Sequence, residues 1–92
     1  MEAIWKFPLQ TVDNQVISMP IGAKILSVKN QNSTRFGIHT DELCIWAICN
    51  TDDKLVNREI IIYGTGHEHE KIEGTYLGTC QQSSFVWHVF MR

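Results

Sequence analysis

Ninety-two residues set the size of one small domain, and a formal net charge of −2 with a pI near 6.0 argues against the basic stripe that sequence-independent duplex binding requires. The eight basic residues, Lys6, Lys24, Lys29, Arg35, Lys54, Arg58, Lys71 and Arg92, are scattered along the chain. With 43% hydrophobic and 20% charged residues, the composition is that of a globular protein and excludes a disordered one.

Seven short extended runs follow one another, separated by turn chemistry. Ile4–Phe7 is stopped by Pro8, and Gln15–Met19 is closed by Pro20 and Gly22. Lys24–Lys29 comes third and is followed by a polar connection from Asn30 to Glu42 that holds Gly37. Leu43–Cys49 ends at Asn50-Thr51-Asp52-Asp53, and Arg58–Tyr63 leads into Gly64-Thr65-Gly66. Thr75–Cys80 and Ser84–Phe90 read as a hairpin around Gln81-Gln82-Ser83. The stretch from Asp52 to Arg58 is the one place with room for a helical turn. The spacing predicts a single all-β domain over residues 1–92, a small sandwich or barrel of about seven strands.

Successive side chains of a strand point to opposite faces, and three runs are apolar on both. Cys44, Trp46 and Ile48 oppose Ile45, Ala47 and Cys49, while Phe85, Trp87 and Val89 oppose Val86, His88 and Phe90; Arg58–Tyr63 does not alternate cleanly either. Such strands need cover on two sides. A domain of this size has little chain left for a third layer, so the pattern predicts a homo-oligomer; cover by the chain's own loops and N-terminal strand is the alternative.

Cys44, Cys49 and Cys80 are odd in number and form no Cys-x-x-Cys pair, which reads as buried, reduced thiols. Met1–Lys6 lacks the apolar core of a signal peptide, and no run approaches the roughly 20 apolar residues of a membrane helix. A cytoplasmic protein with no membrane partner is expected.

The succession Ile4-Trp5-Lys6-Phe7-Pro8-Leu9, Met19-Pro20-Ile21-Gly22-Ala23-Lys24-Ile25-Leu26-Ser27-Val28, Ile45-Trp46-Ala47, Ile62-Tyr63-Gly64-Thr65-Gly66-His67, Tyr76-Leu77-Gly78-Thr79 and Phe85-Val86-Trp87-His88-Val89-Phe90 resembles a family of small uncharacterised bacteriophage and prophage proteins. The resemblance spans nearly the whole chain in order. It departs from the family pattern at Ser33–Glu42, which is longer than usual, and at His67-Glu68-His69-Glu70, where a proline-containing turn is more familiar. It implies no catalytic residues. It implies a phage setting, in which small oligomeric β proteins that sequester nucleotide second messengers against host immunity are one analogy of size and origin.

Among candidate sites, Gly64-Thr65-Gly66-His67 follows a strand, and two glycines around a threonine leave backbone N–H groups to cradle an anion. Thr65 offers a hydroxyl and His67 an imidazole, with Arg58 or Lys24 as the helping cation. Arg58 lies roughly 20 Å away along an extended chain, so it helps only from a neighbouring subunit or a folded-back strand. The same four residues also read as a plain turn in which Gly supplies positive φ, and no Walker-type lysine follows. His67 and His69, two apart, point one way on a strand and suit zinc only with a third ligand from His39, His88 or a cysteine; an exposed polar loop explains them equally. The cysteines have no basic neighbour in sequence, and Asp52-Asp53 beside Asn50-Thr51 reads as a turn. Trp46 and Trp87 read as core, with base stacking as the alternative; Trp5 stays open.

The expected function is a non-catalytic, homo-oligomeric phage accessory protein, without cofactor or metal, that sequesters a small anionic nucleotide signal. The alternative is a protein-interaction or structural module docking a host or phage protein through an apolar β face. Converging cations around a pocket favour the first, and a flat apolar patch favours the second.

Overall fold

A computed structural model describes residues 1–92. Seven strands and no helix make up the chain: β1 (Glu2–Leu9), β2 (Asn14–Pro20), β3 (Lys24–Arg35), β4 (Ile38–Asn50), β5 (Leu55–Gly64), β6 (Thr75–Gln82) and β7 (Phe85–Met91). They form two antiparallel sheets, one ordered β1-β4-β3 and the other β2-β5-β7-β6. The all-β expectation therefore holds.

Three details differ from the reading of the sequence. Pro8 does not stop the first strand, which continues to Leu9 opposite Leu43. β1 is an edge strand, where the missing N–H of proline is tolerated. No helical turn forms between Asp52 and Arg58: Asp53 N–H donates to the Asn50 carbonyl at 3.1 Å, and β5 begins at Leu55. The largest difference is the connection from Asn30 to Glu42, which is a two-stranded hairpin. β3 and β4 stay paired out to Arg35 opposite Ile38, and Gln31–Asp41 is exposed throughout. A ribbon with water on both sides has no apolar alternation to announce it. Its tip, Phe36-Gly37, has φ of 53° and 75°, as a two-residue type I′ turn requires.

The inner faces of the two sheets meet in one core to which every strand contributes. Leu9, Met19, Val28, Ile45, Ile62, Cys80 and Val89 all belong to it, and Ile60 and Leu43 are at most 1% exposed. Each fully buried aliphatic side chain contributes about 1.5–3 kcal/mol. β6 shifts register between Tyr76 and Gly78, where it packs against β3. A Cβ at Gly78 would lie 3.1 Å from that of Val28 on β3, so glycine permits this corner to close.

The outer face of the four-stranded sheet carries a third layer. After Gly64 the chain turns back and residues 65–74 lie over β5 and β7: the Glu73 N–H donates to the Tyr63 hydroxyl at 3.0 Å, and the His69 ring stands edge-on to Tyr63 at 4.8 Å. Tyr63 is thereby buried, and Ile61, opposite Phe90 on the same face, is buried too, so the two-sided pattern of β5 is answered from within the chain. The three-stranded sheet has no such layer. On its outer face Trp46 and Ile48 are half-buried and Ile4 is 63% exposed. No helix is long and apolar enough to cross a membrane.

Candidate functional site

Strand parity decides which side chains reach the outer face of the four-stranded sheet. Val89 and Met91 of β7 face the core, so His88 and Phe90 face outward. Register sets Tyr63 of β5 and Thr79 of β6 on either side of His88, and Tyr76 opposite Phe90. The rings assemble edge to face, Tyr63 with Phe90 at 5.3 Å and Tyr76 with Phe90 at 5.4 Å.

Over this aromatic floor the Gly64–His67 turn forms a rim. The His67 N–H donates to the Gly64 carbonyl at 3.3 Å, and Gly66 carries φ of 84°, the geometry of a type II turn with Gly at its third position. The Thr65 N–H donates to the Val86 carbonyl at 3.3 Å. Two of the three amides that an anion nest would use are therefore already bonded, and the plain-turn reading describes the backbone. Gly64 has no room for a side chain, because a Cβ would come within 2.8 Å of the His67 ring and 3.1 Å of Trp87.

His88 joins rim and floor. Its Nε2 lies 2.7 Å from Thr65 Oγ1 and its Nδ1 lies 3.0 Å from Thr79 Oγ1, which is 2.6 Å from the Tyr76 hydroxyl. A neutral imidazole has one donor and one acceptor, so one threonine hydroxyl gives and the other receives. The result is a hydroxyl–imidazole chain that runs from the turn after β5 across β7 to β6. The depression it borders, about 330 Å³, is lined by Tyr63, Ile72, Tyr76, His88, Phe90 and the Gly64–His67 turn. A second hollow of about 290 Å³ lies across the turn, against Ser84, Phe85, Val86 and Trp87, where the Phe85 and Trp87 rings stack at 5.4 Å.

Gly64, Thr65, Gly66 and His67 thus come together at one place, whereas Arg58 and Lys24 do not join them. Arg58 pairs with Ile17 at the far end of β5, and Lys24 stands opposite Ile48 in the other sheet. Neither Lys nor Arg lines the depression. Tyr76 and His88 line it and Thr79 bonds to both; Tyr76 and Thr79 were not selected from the sequence, and His88 was named there only as a candidate third metal ligand. The face shared by His88 and Phe90 was legible from alternation, but which strands flank it was not.

His67 packs on Gly64 and His69 on Tyr63, and no group of three His, Cys, Asp or Glu is arranged to hold a metal ion. The three thiols are free and buried. Burial raises all three, and Cys44 rises to about 11 with help from the Glu42 carboxylate, to which its Sγ–H donates at 3.3 Å. Trp87 packs against the core, and Trp46 lies half-buried on the outer face of the three-stranded sheet.

The family model of a domain of unknown function, DUF7352, matches residues 1–92. The chain belongs to the DUF7352 family. No curated protein and no solved structure matches it. In this DUF7352 chain the site presents the exposed Tyr76 ring, Phe90 and the hydroxyls of Thr65 and Tyr76, while both ring nitrogens of His88 are already bonded.

Proposed function

We propose that this DUF7352 protein works by binding, as a self-associating accessory protein of phage origin that sequesters a small nucleotide signal in the host cytoplasm. The observation that carries the reading is the depression beside His88, where aromatic side chains and a hydroxyl–imidazole chain converge. Aromatic faces stack on any base, and the Thr65 and Tyr76 hydroxyls with the His67 ring, all lining the depression, match the polar edge of a base or a ribose hydroxyl. The chain supplies no cation there, so the phosphate is to be held by a second subunit. This ties ligand capture to self-association, and no bond in the ligand is broken.

Calorimetric titration with nucleosides, linear nucleotides and cyclic nucleotides tests the reading, beside native mass spectrometry of protein taken from cell extract. Binding by a cyclic or linear nucleotide, lost in Tyr76→Ala, is the expected result. Absence of binding to the whole panel would falsify it.

A second reading, a module that docks a host or phage protein, draws on a different observation. Large apolar side chains stand exposed well away from the depression: Phe36 is 94% exposed, and Ile4 and Ile38 are more than half exposed. Retention of a protein partner rather than a small ligand in the extract would favour it.

A further inference from the structure

The two outer faces of the molecule carry opposite charge. On the three-stranded sheet, register sets Lys6 opposite Trp46, Lys24 opposite Ile48, Lys29 opposite Cys44 and Arg35 opposite Ile38, so four of the eight basic residues share one face with two acidic ones, Glu2 and Glu42. Lys6 is held by Glu42 at 3.4 Å, while Lys24, Lys29 and Arg35 make no ion pair. On the far side, β5 and the 65–74 segment present Glu59, Glu68, Glu70 and Glu73 against Lys71 and Arg92. Arg92 holds both Glu59 and Glu73, which leaves Glu68 and Glu70 exposed and without a partner. Each face also bears uncovered apolar surface, Ile4 on the first and Ile72 and Tyr76 on the second.

We infer that copies of this chain stack head to tail, the basic outer face of the three-stranded sheet of one copy seated on the acidic 65–74 flank of the four-stranded sheet of the next. The inference rests on the self-association proposed above and says which surfaces make it. Packing the basic face against itself about a two-fold axis would bring like charges together, which costs energy in a contact that excludes water. Packing it on the acidic flank opposes Lys24 and Lys29 to Glu68 and Glu70 and covers apolar surface on both sides. The molecule measures 43 × 39 × 17 Å, so its broad sides exceed the roughly 800 Å² per partner of a stable contact. Two different surfaces meet in this contact, so it repeats and generates a ring or an open filament.

Sedimentation equilibrium of the intact protein tests the stack through charge reversal. The wild type is expected above one chain mass at 0.1 M salt and to dissociate near 1 M, where screening shortens to about 3 Å. Lys24→Glu with Lys29→Glu, and separately Glu68→Lys with Glu70→Lys, should each weaken association by about tenfold or more. The chain carrying all four reversals should recover it. Circular dichroism confirms that each variant is folded. If the wild type sediments as a single chain throughout, self-association itself fails and the stack with it. If the wild type associates but the paired variants keep its mass, or the fourfold variant does not recover, the stack is wrong while self-association stands. A basic face that binds single-stranded DNA in preference to a second copy also overturns the stack.

Discussion

Thr65 Oγ1 lies 2.7 Å from Nε2 of His88, and this contact, with the Thr65 N–H bond to the Val86 carbonyl, fastens the rim of the depression to the sheet. Thr65 opens a segment that otherwise rests on the sheet mainly through Tyr63 and Arg92. Thr65→Val keeps the shape of the side chain and removes the hydrogen bond. The expected cost is about 0.5–1.5 kcal/mol in urea denaturation. Faster amide exchange should be confined to residues 65–74, and unchanged exchange there would show that the rim is held elsewhere.

Two glycines of the same turn separate two kinds of constraint. At Gly66 a side chain meets nothing within 4 Å, but φ is 84°, so Gly66→Val carries a conformational cost of about 1–2 kcal/mol. At Gly64 the conformation is ordinary and the space is missing. Gly64→Ala should therefore displace the His67 ring, seen as a changed His67 chemical shift with the fold retained. Identical behaviour of the two variants would contradict the assignment.

At the hairpin tip, Phe36 sits at φ of 53° with its ring almost wholly in water. Bulky residues are poorly suited to this backbone region, and Asn is well suited to a type I′ turn. Phe36→Asn is expected to raise the stability of the single chain by about 1 kcal/mol, measured at low protein concentration by urea denaturation. A loss instead would mean that the ring is covered in solution.

Cys44 sets a dependence on pH. Its thiol titrates near 11 rather than 9.0 because burial, and then Glu42, oppose the thiolate. The unfolded chain releases this proton at lower pH than the folded chain, so stability is unaffected below pH 9 and falls as pH rises through about 11. Thermal unfolding from pH 8 to 11 should show a smaller decline in Cys44→Ala than in wild type, and parallel curves would refute this. At neutral pH, Cys44 should resist alkylation until the protein unfolds, because the thiolate is the reactive form.

The strands with apolar residues on both sides were legible because burial leaves a local mark, and Leu43–Cys49 and Arg58–Tyr63 were located within a few residues. The Gln31–Asp41 arm was illegible because it buries nothing. The turn at Gly64–His67 was visible from its glycines, yet its amides could be assigned only once Val86 was known to lie beside Thr65. The neighbours of His88 come from residues 9 and 23 positions away, and such pairing depends on strand order rather than on local pattern. Lys24 was noted as a cation, but its place among Lys6, Lys29 and Trp46 is set by the register of three strands.

Strand order also bears on how the chain reaches its fold. Two of the five strand pairings, β3 with β4 and β6 with β7, join neighbours in sequence. β1 must wait for β4, β2 for β5, and β5 for β7. Loops must be closed before those ladders return any free energy, which places folding in the slow, millisecond-to-second range of β proteins. Of the seven strands β7 is synthesised last, yet it lies between β5 and β6 in the four-stranded sheet. A nascent chain therefore holds β2 and β5 with an open apolar edge until β7 arrives, a period in which pairing with another copy competes with folding.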